Sequence, residues 1–314
     1  MKVLFLVNPN AGGRGAGRKV RIAHERFLSA GWSVTLENTG TPEHAGRLIS
    51  SAHDDGCDLL VLAGGDGTLH HAIQHLPLGS HDKPSTLPFG IIPLGSGNDF
   101  YRGTGAPWDP EGAADNIING RDIPIDIGIC EPVDDACNLR NEQSIRFVNT
   151  AGVGIDSQTL ATREKAPKFL SARYELLFLV TLVRLYPLKV SIQADDWDLD
   201  GDYYMVLCCN NGWFGTGMEI APGAKINDGL FDVLTVRKTP KWKFVVNLHK
   251  VFKGTHIYME EAEILKTRSL VLRCEPGQRV ATDGDRACPT PVRISCIPGG
   301  VSLRTCWLND SPLT

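Results

Sequence analysis

The chain carries 314 residues, a formal net charge of −4, 42% hydrophobic residues and 22% charged ones. That length suffices for one large domain or two ordinary ones with buried cores, and the composition is that of a folded globular protein. A slight negative charge, with no basic stripe interleaved with aromatics, excludes a constitutive nucleic-acid binder.

The nine cysteines are scattered without a C-x-x-C pair, a spacing that gives neither a disulfide framework nor a zinc site and reads as buried thiols in a reducing compartment. The sequence opens on a strand-like run, Lys2 to Val7, rather than on a secretory pattern. Its longest apolar run, Leu176 to Val183, falls well short of the roughly 18–20 residues of a membrane span. The expectation is a cytoplasmic protein that touches membranes transiently and from outside.

In chain order, Lys2 to Val7 reads as a strand, Arg18 to Ala30 as a helix with Val20, Ala23, Phe27 and Ala30 on one side, and Ser33 to Glu37 as a strand. Thr41-Pro-Glu-His44 supplies a Thr cap, a proline for the first turn and an acid beside it, opening a helix that runs to about His53. The strand Leu59 to Ala63, a helix from about Thr68 to His75 and the strand Phe89 to Pro93 follow. Strands alternating with helices imply a parallel, doubly wound sheet whose ligand lies beyond the carboxyl ends of the strands.

Three glycine-bearing loops fall at such ends. The first, Asn8 to Lys19, lacks the Gly-Lys-Ser/Thr of a P-loop, and its Gly13, Gly15 and Gly17 have single-residue gaps instead of G-x-G-x-x-G. By itself it reads as a flexible basic connector or as a phosphate loop. In the second, Gly64, Gly65 and Gly67 surround Asp66, and a helix starting near Thr68 adds its positive end. An acid in such a cradle repels bare phosphate, so Asp66 implies a divalent cation between them, hence a magnesium nucleotide. In the third, Gly95 and Gly97 flank Ser96, while Asn98 and Asp99 add an amide and a carboxylate; alone it reads equally as a turn capping the next helix.

After about Pro124 the chain becomes a series of short β-prone runs separated by turns, which predicts a mostly antiparallel second domain. The division expected is 1–124, 125–305 and a tail at 306–314. The segment Leu170 to Tyr186 reads as a helix apolar nearly all round, either a core helix or a lipid-facing one docked by Arg163, Lys165, Lys168 and Arg173. Asn227-Asp-Gly229 and Thr282-Asp-Gly-Asp285 read as tight turns.

Asn8-Pro9 with Ala11-Gly12, Gly64 to Thr68, and Gly95-Ser-Gly-Asn-Asp-Phe100, in this order and at these separations, resemble the diacylglycerol kinase catalytic family. That family includes soluble bacterial lipid kinases and sphingosine kinases, and shares its glycine-aspartate turn with NAD kinases and phosphofructokinases. The resemblance runs from residue 2 to about 305, and Phe147 to Asp156 is similar to the opening of the family's β-sandwich. It implies a two-domain α/β plus β-sandwich fold around a cleft, and an ATP- and Mg2+-dependent kinase acting on a hydroxyl of diacylglycerol or a related lipid at a membrane surface. For assembly, a homodimer is one expectation.

Carried over by position, the resemblance assigns Asn8, Pro9, Arg14, Gly64, Gly65, Asp66, Gly67, Thr68, Gly95, Ser96, Gly97 and Asn98 to the nucleotide. It assigns Asp66, Asp99 and Asp285 to the catalytic magnesium and Asp283 to the general base. Asp228, with the backbone around Ile226 and Leu230, maps to a structural magnesium, against the plain-turn alternative. Such a base is chemically required, because a lipid alcohol is a weak nucleophile at neutral pH. Three departures stand out: His70-His71 replace the usual Asn-Glu, read as a change of nucleotide-pocket polarity; Gly13 precedes Arg14 where a basic residue is common; and Asp285 is one methylene shorter than the usual Glu. The competing readings are a kinase of a soluble substrate such as NAD and a catalytically silent nucleotide-binding membrane sensor.

Overall fold

The computed structural model describes residues 1–140, 144–166, 180–275, 278–308 and 311–312. Strand β1 (Lys2–Val7) pairs in parallel with β2 (Ser33–Asn38) and β3 (Leu59–Gly64), and β3 with β4 (Phe89–Pro93), so the first four strands lie in the order β2-β1-β3-β4. β3 and β4 are buried along their whole lengths, which explains runs of apolar residues without alternation. Helices α1 (Ala16–Ser29), α2 (Pro42–Asp54), α3 (Asp66–Ile73), α4 (Asp99–Thr104) and α5 (Pro110–Ile118) connect and cover these strands.

The helix signals act as the sequence implies. Val20, Ala23 and Phe27 are the buried face of α1, and Phe27 stacks on Trp32 with ring centroids 5.3 Å apart. Thr41 caps α2, its hydroxyl accepting the His44 N–H at 3.3 Å. α3 begins two residues earlier than its apolar pattern suggests, at Asp66, because the chain turns directly out of Gly65 into helical backbone.

Two long strands join the halves. β5 (Arg121–Pro132) and β17 (Val292–Thr305) pair antiparallel from Arg121↔Thr305 to Pro132↔Val292, with one irregularity between Ile297 and Val301. Ile125, Ile127, Val301 and Leu303 pack in the first core, where Leu303 also pairs with Phe89 of β4, whereas Cys130, Val292 and Ile294 belong to the second. At the irregularity the fully buried Asp126 carboxylate accepts the N–H groups of Gly229 at 2.7 Å and Gly299 at 2.9 Å, locking the Asn227–Gly229 turn to β17.

The second domain is an antiparallel β-sandwich. One path runs β16 (Asp285–Pro289), β15 (Arg279–Thr282), β7 (Thr150–Gly154), β9 (Asp198–Cys209), β8 (Leu188–Ala194), β14 (Ser269–Cys274) and β17, while β12 (Phe231–Arg237) joins β9 to β13 (Ala262–Thr267). β6 (Ile145–Phe147) pairs with β5, α6 (Ile155–Lys165) follows β7, and β10 (Trp213–Phe214) with β11 (Met218–Glu219) forms a small hairpin. No disulfide links the cysteines, and among the described residues no helix is long and apolar enough to cross a membrane. Most of the apolar helix expected at Leu170 to Tyr186 lies outside the described residues. In its described end Leu182 and Leu185 are buried and Val183 is exposed.

Candidate active site

The three glycine loops do converge. The Asn8 side-chain amide donates to the Thr68 hydroxyl at 2.8 Å, tying the first loop to the second. A β-carbon on Gly64 would lie 2.3 Å from that hydroxyl, so the strand must end in glycine for Thr68 to fold back over it. Gly65 and Gly95 meet backbone to backbone: a β-carbon on Gly95 would be 2.6 Å from the Gly65 α-carbon. Beside them a cavity of about 210 Å³ is bordered by Asn8, Asn10, Thr41, Thr68 and His71. The turn after β2, Thr39 to Pro42, is thus a fourth strand-end loop on the same rim; its Thr-Gly-Thr-Pro composition and strand-end position were the available signals.

The polar residues of these loops are partly committed to the fold. Asn98, with φ 48°, accepts the Gly95 N–H at 3.0 Å and donates to the Gly95 carbonyl at 2.8 Å, so its amide closes the third loop and keeps one N–H over. Asp66 accepts the N–H groups of Asp99 and Phe100, each at 3.1 Å, capping α4. Asp99 reaches the other domain, accepting Thr216 N–H and Gly217 N–H, both at 2.9 Å, in the turn of the β10–β11 hairpin. Ser96 is exposed, and Arg14 stands exposed on the short 3-10 turn Gly13–Gly15.

Burial raises the pKa of both carboxylates against the N–H bonds they receive, and Asp99 is pushed up to about 6, with the neighbouring Asp66 charge adding to it. Among the described residues no three carboxylates, imidazoles or thiols gather as a ready-made metal site. The trio Asp66, Asp99 and Asp285 is therefore not assembled: the first two are turned to backbone donors and Asp285 is exposed on its hairpin. Octahedral magnesium needs only one or two carboxylates beside phosphate oxygens and water. Asp66 fits that lesser demand, since each of its oxygens accepts a single loop N–H. The glycine approach and the strand-end cavity likewise fit a nucleotide phosphate.

At the Asp228 turn a lysine stands beside the carboxylates. Lys266 Nζ lies 3.1 Å from Asp228 and 3.2 Å from Asp232, and Asp228 also accepts the Leu230 N–H at 3.1 Å. An ammonium of β13 thus supplies positive charge at this turn, which favours the plain-turn alternative over the structural ion.

Asp283 lies where the two domains meet. Asp283 and Gly284 have φ of 48° and 85°, giving the Asp-Gly hairpin between β15 and β16 its two left-handed positions. The side chain is fully buried. Its Oδ1 accepts Asn149 N–H at 2.8 Å and Thr150 N–H at 3.0 Å; its Oδ2 accepts Val148 N–H at 3.0 Å and lies 3.2 Å from His70 Nδ1. Three consecutive backbone donors and an imidazole occupy the four acceptor positions of this carboxylate. The adjacent histidines part company: His70 turns inward to Asp283, and exposed His71 borders the strand-end cavity. α3 is held in this position by the Gln74 side-chain amide, which donates to the Arg146 carbonyl at 2.8 Å and accepts the Arg146 N–H at 3.0 Å.

A small apolar pocket of about 60 Å³ lies in the second domain, lined by Ile155, Met205, Phe214, Met218, Val251 and Ala262 among others. Phe214 and Met218 flank the same hairpin turn that binds Asp99. Outside the pocket, the helix Lys241–Asn247 and the 3-10 turns Leu248–Lys253 and Thr255–Tyr258 expose Trp242, Val246, Phe252 and Tyr258.

Residues 2–130 match the diacylglycerol kinase catalytic domain, and residues 149–305 match the YegS C-terminal NAD kinase beta sandwich-like domain. A diacylglycerol kinase of Mycobacterium tuberculosis is 30% identical over 308 residues, covering 96% of this chain and 94% of that protein. One of Bacillus subtilis is 28% identical over 285 residues, 90% and 88% of the two chains. In fold, the chain is similar to the crystal structure of a putative diacylglycerol kinase from Bacillus anthracis, with a TM-score of 0.78 at 22% identity over 97% and 95% of the two chains.

Proposed function

The chain belongs to the diacylglycerol kinase catalytic family, and from that premise we propose that it is an ATP-dependent lipid kinase, transferring the γ-phosphoryl group to a hydroxyl of diacylglycerol or a related lipid. Three observations together carry this reading: strand-end glycine loops for phosphates, the Asp283–His70 pair at the domain junction, and an apolar pocket in the second domain. β7 links the last two. Thr150 at its start binds Asp283, and Ile155 just past its end lines the pocket. At roughly 3.3 Å per strand residue the two lie about 16 Å apart, within the reach of a long acyl chain. A soluble substrate such as NAD gives no use for that pocket.

In this reading residues 1–124 hold the nucleotide and 125–305 the lipid. The loop backbone and the N-terminus of α3 meet the phosphates, Asn8 and Thr68 fix the loop that faces them, and the buried junction between domains excludes water, limiting idle hydrolysis. Asp66 is the carboxylate of this chain that would hold magnesium bound with the nucleotide, which would supply neutralisation of phosphate charge. The hydroxyl's proton is taken up at the Asp283–His70 pair. Membrane contact is peripheral: Trp242, Val246, Phe252 and Tyr258 enter the interface, and Lys250 and Lys253 face anionic head groups.

The test is phosphate transfer from γ-labelled ATP, with magnesium, to a panel of lipids in mixed micelles. A labelled lipid is expected, and Asp283→Asn should lower turnover roughly 100- to 10,000-fold while ATP binding is nearly unchanged. Transfer to NAD and to no lipid, or ATP binding without transfer to any acceptor, overturns the reading.

A further inference from the structure

Asp283 cannot itself receive a proton without giving up a bond it already holds. Its carboxylate is fully buried, and its oxygens accept from Val148, Asn149, Thr150 and, through Nδ1, His70. The Nδ1–H of His70 is the donor in that last contact, since Asp283 offers only acceptors, so Nε2 carries the lone pair. Among the described residues Nε2 makes no hydrogen bond and is not one of the fully buried polar atoms, so it is the ring nitrogen open to an incoming group. The ring is only 7% exposed, fixed by Asp283 on one side, and rides on the same short helix whose first residues, Asp66 to Thr68, form the second phosphate loop.

We propose that His70, through Nε2, is the group that removes the proton from the lipid hydroxyl, with Asp283 as the positioning residue behind it. The inference rests on the lipid-kinase reading above and names the atom that reading leaves open. As the hydroxyl oxygen bonds to the γ-phosphorus, the bond from that phosphorus to the β,γ-bridging oxygen breaks and its electron pair leaves with ADP. The hydroxyl proton passes to Nε2, giving an imidazolium whose Nδ1–H remains on Asp283, and Nε2 then returns the proton to water. No external redox partner or further reactant is needed.

The charges around the ring suit the task. Burial disfavours the imidazolium, but the hydrogen bond and charge of Asp283, with Asp285 adding, hold His70 above its ordinary value of 6.5. The remaining ionisable neighbours are His71 and Asp66 on α3, Arg146 on β6, which caps the end of α3 through the Ile73 and Leu76 carbonyls, and Glu43 on α2 beside His71. Since the neutral ring is the active form, kcat/KM rises with pH through a group titrating above 6.5.

The test compares His70→Asn and His70→Gly with the wild-type chain for transfer to diacylglycerol in mixed micelles. His70→Asn retains a donor for Asp283 but no base: kcat should fall roughly 100- to 10,000-fold with the KM for ATP little changed, and the acid limb of the pH profile should vanish. Added imidazole should restore turnover to His70→Gly in proportion to its free-base concentration. A purely structural histidine predicts the opposite, turnover and acid limb both kept in His70→Asn, and that result overturns the proposal while leaving the kinase reading intact. A wild-type chain that phosphorylates no lipid overturns both. Nitrogen-15 shifts of the wild-type ring need no variant: above its titration Nδ1 should be protonated and Nε2 bare, and the reverse tautomer refutes the proton path.

Discussion

The Asp99 carboxylate, at the start of α4, accepts the Thr216 backbone N–H at 2.9 Å across 117 residues of chain. That bond, with its companion to Gly217, fastens the nucleotide-side loop to a hairpin whose flanks, Phe214 and Met218, wall the apolar pocket. Arg102, one turn along α4, stacks its guanidinium 4.9 Å from the Trp108 ring and 5.4 Å from that of Trp213, reinforcing the same junction. The two substrates' expected sites therefore share a wall.

Asp99 should leave a mark on stability against pH. Its folded pKa of about 6 exceeds the ordinary 3.8, because burial opposes the charge more than the N–H bonds favour it. Its contribution is complete below the unfolded value and is lost as pH rises through the folded one. Relative to Asp99→Asn, the nucleotide-free wild-type chain should lose roughly 1–3 kcal/mol of stability between about pH 4 and pH 7. Urea denaturation of both across that range checks it; a pH-independent difference refutes it.

Chelation should not destabilise the turn at Asp228, because Lys266 already bridges Asp228 and Asp232. Adding a chelator to the wild-type chain should leave the melting temperature unchanged. Lys266→Met should cost about 1–2 kcal/mol by stranding Asp232, which is buried beside it. A marked loss of stability with chelator alone would restore the structural ion.

Filling the apolar pocket should separate lipid from nucleotide kinetics. Ala262 lines it from β13, away from the phosphate loops. Ala262→Phe should raise the KM for a long-chain diacylglycerol by about tenfold or more, leaving the KM for ATP within about twofold, as one displaced chain segment in a hydrophobic site predicts. Equal effects on both substrates would argue against an acyl site.

Vesicle binding should depend on the exposed rim of that pocket. Trp242 is 70% exposed and Phe252 57% exposed. Lys250→Gln with Lys253→Gln should weaken sedimentation with anionic vesicles roughly 30-fold at low salt, from about 1 kcal/mol per lysine near the surface. Trp242→Ala with Phe252→Ala should weaken binding to neutral vesicles as well. Unchanged sedimentation in both pairs would place the membrane face elsewhere.

What the sequence alone determined was local. Thr41-Pro caps its helix, Asp-Gly makes the turn at 283–284, and continuous apolar runs become the buried strands β3 and β4, because each depends on a few adjacent backbone angles or on burial of the segment's own side chains. The motif order likewise identified the two-domain family. Which partner each polar side chain takes was decided only by packing. Asp66 and Asn98 each take loop backbone partners, Asp228 takes Lys266, and Asp283 takes three amides and a histidine 213 residues away. A carboxylate's available chemistry is set by the donors that surround it, and those come from segments that only the closed fold makes neighbours.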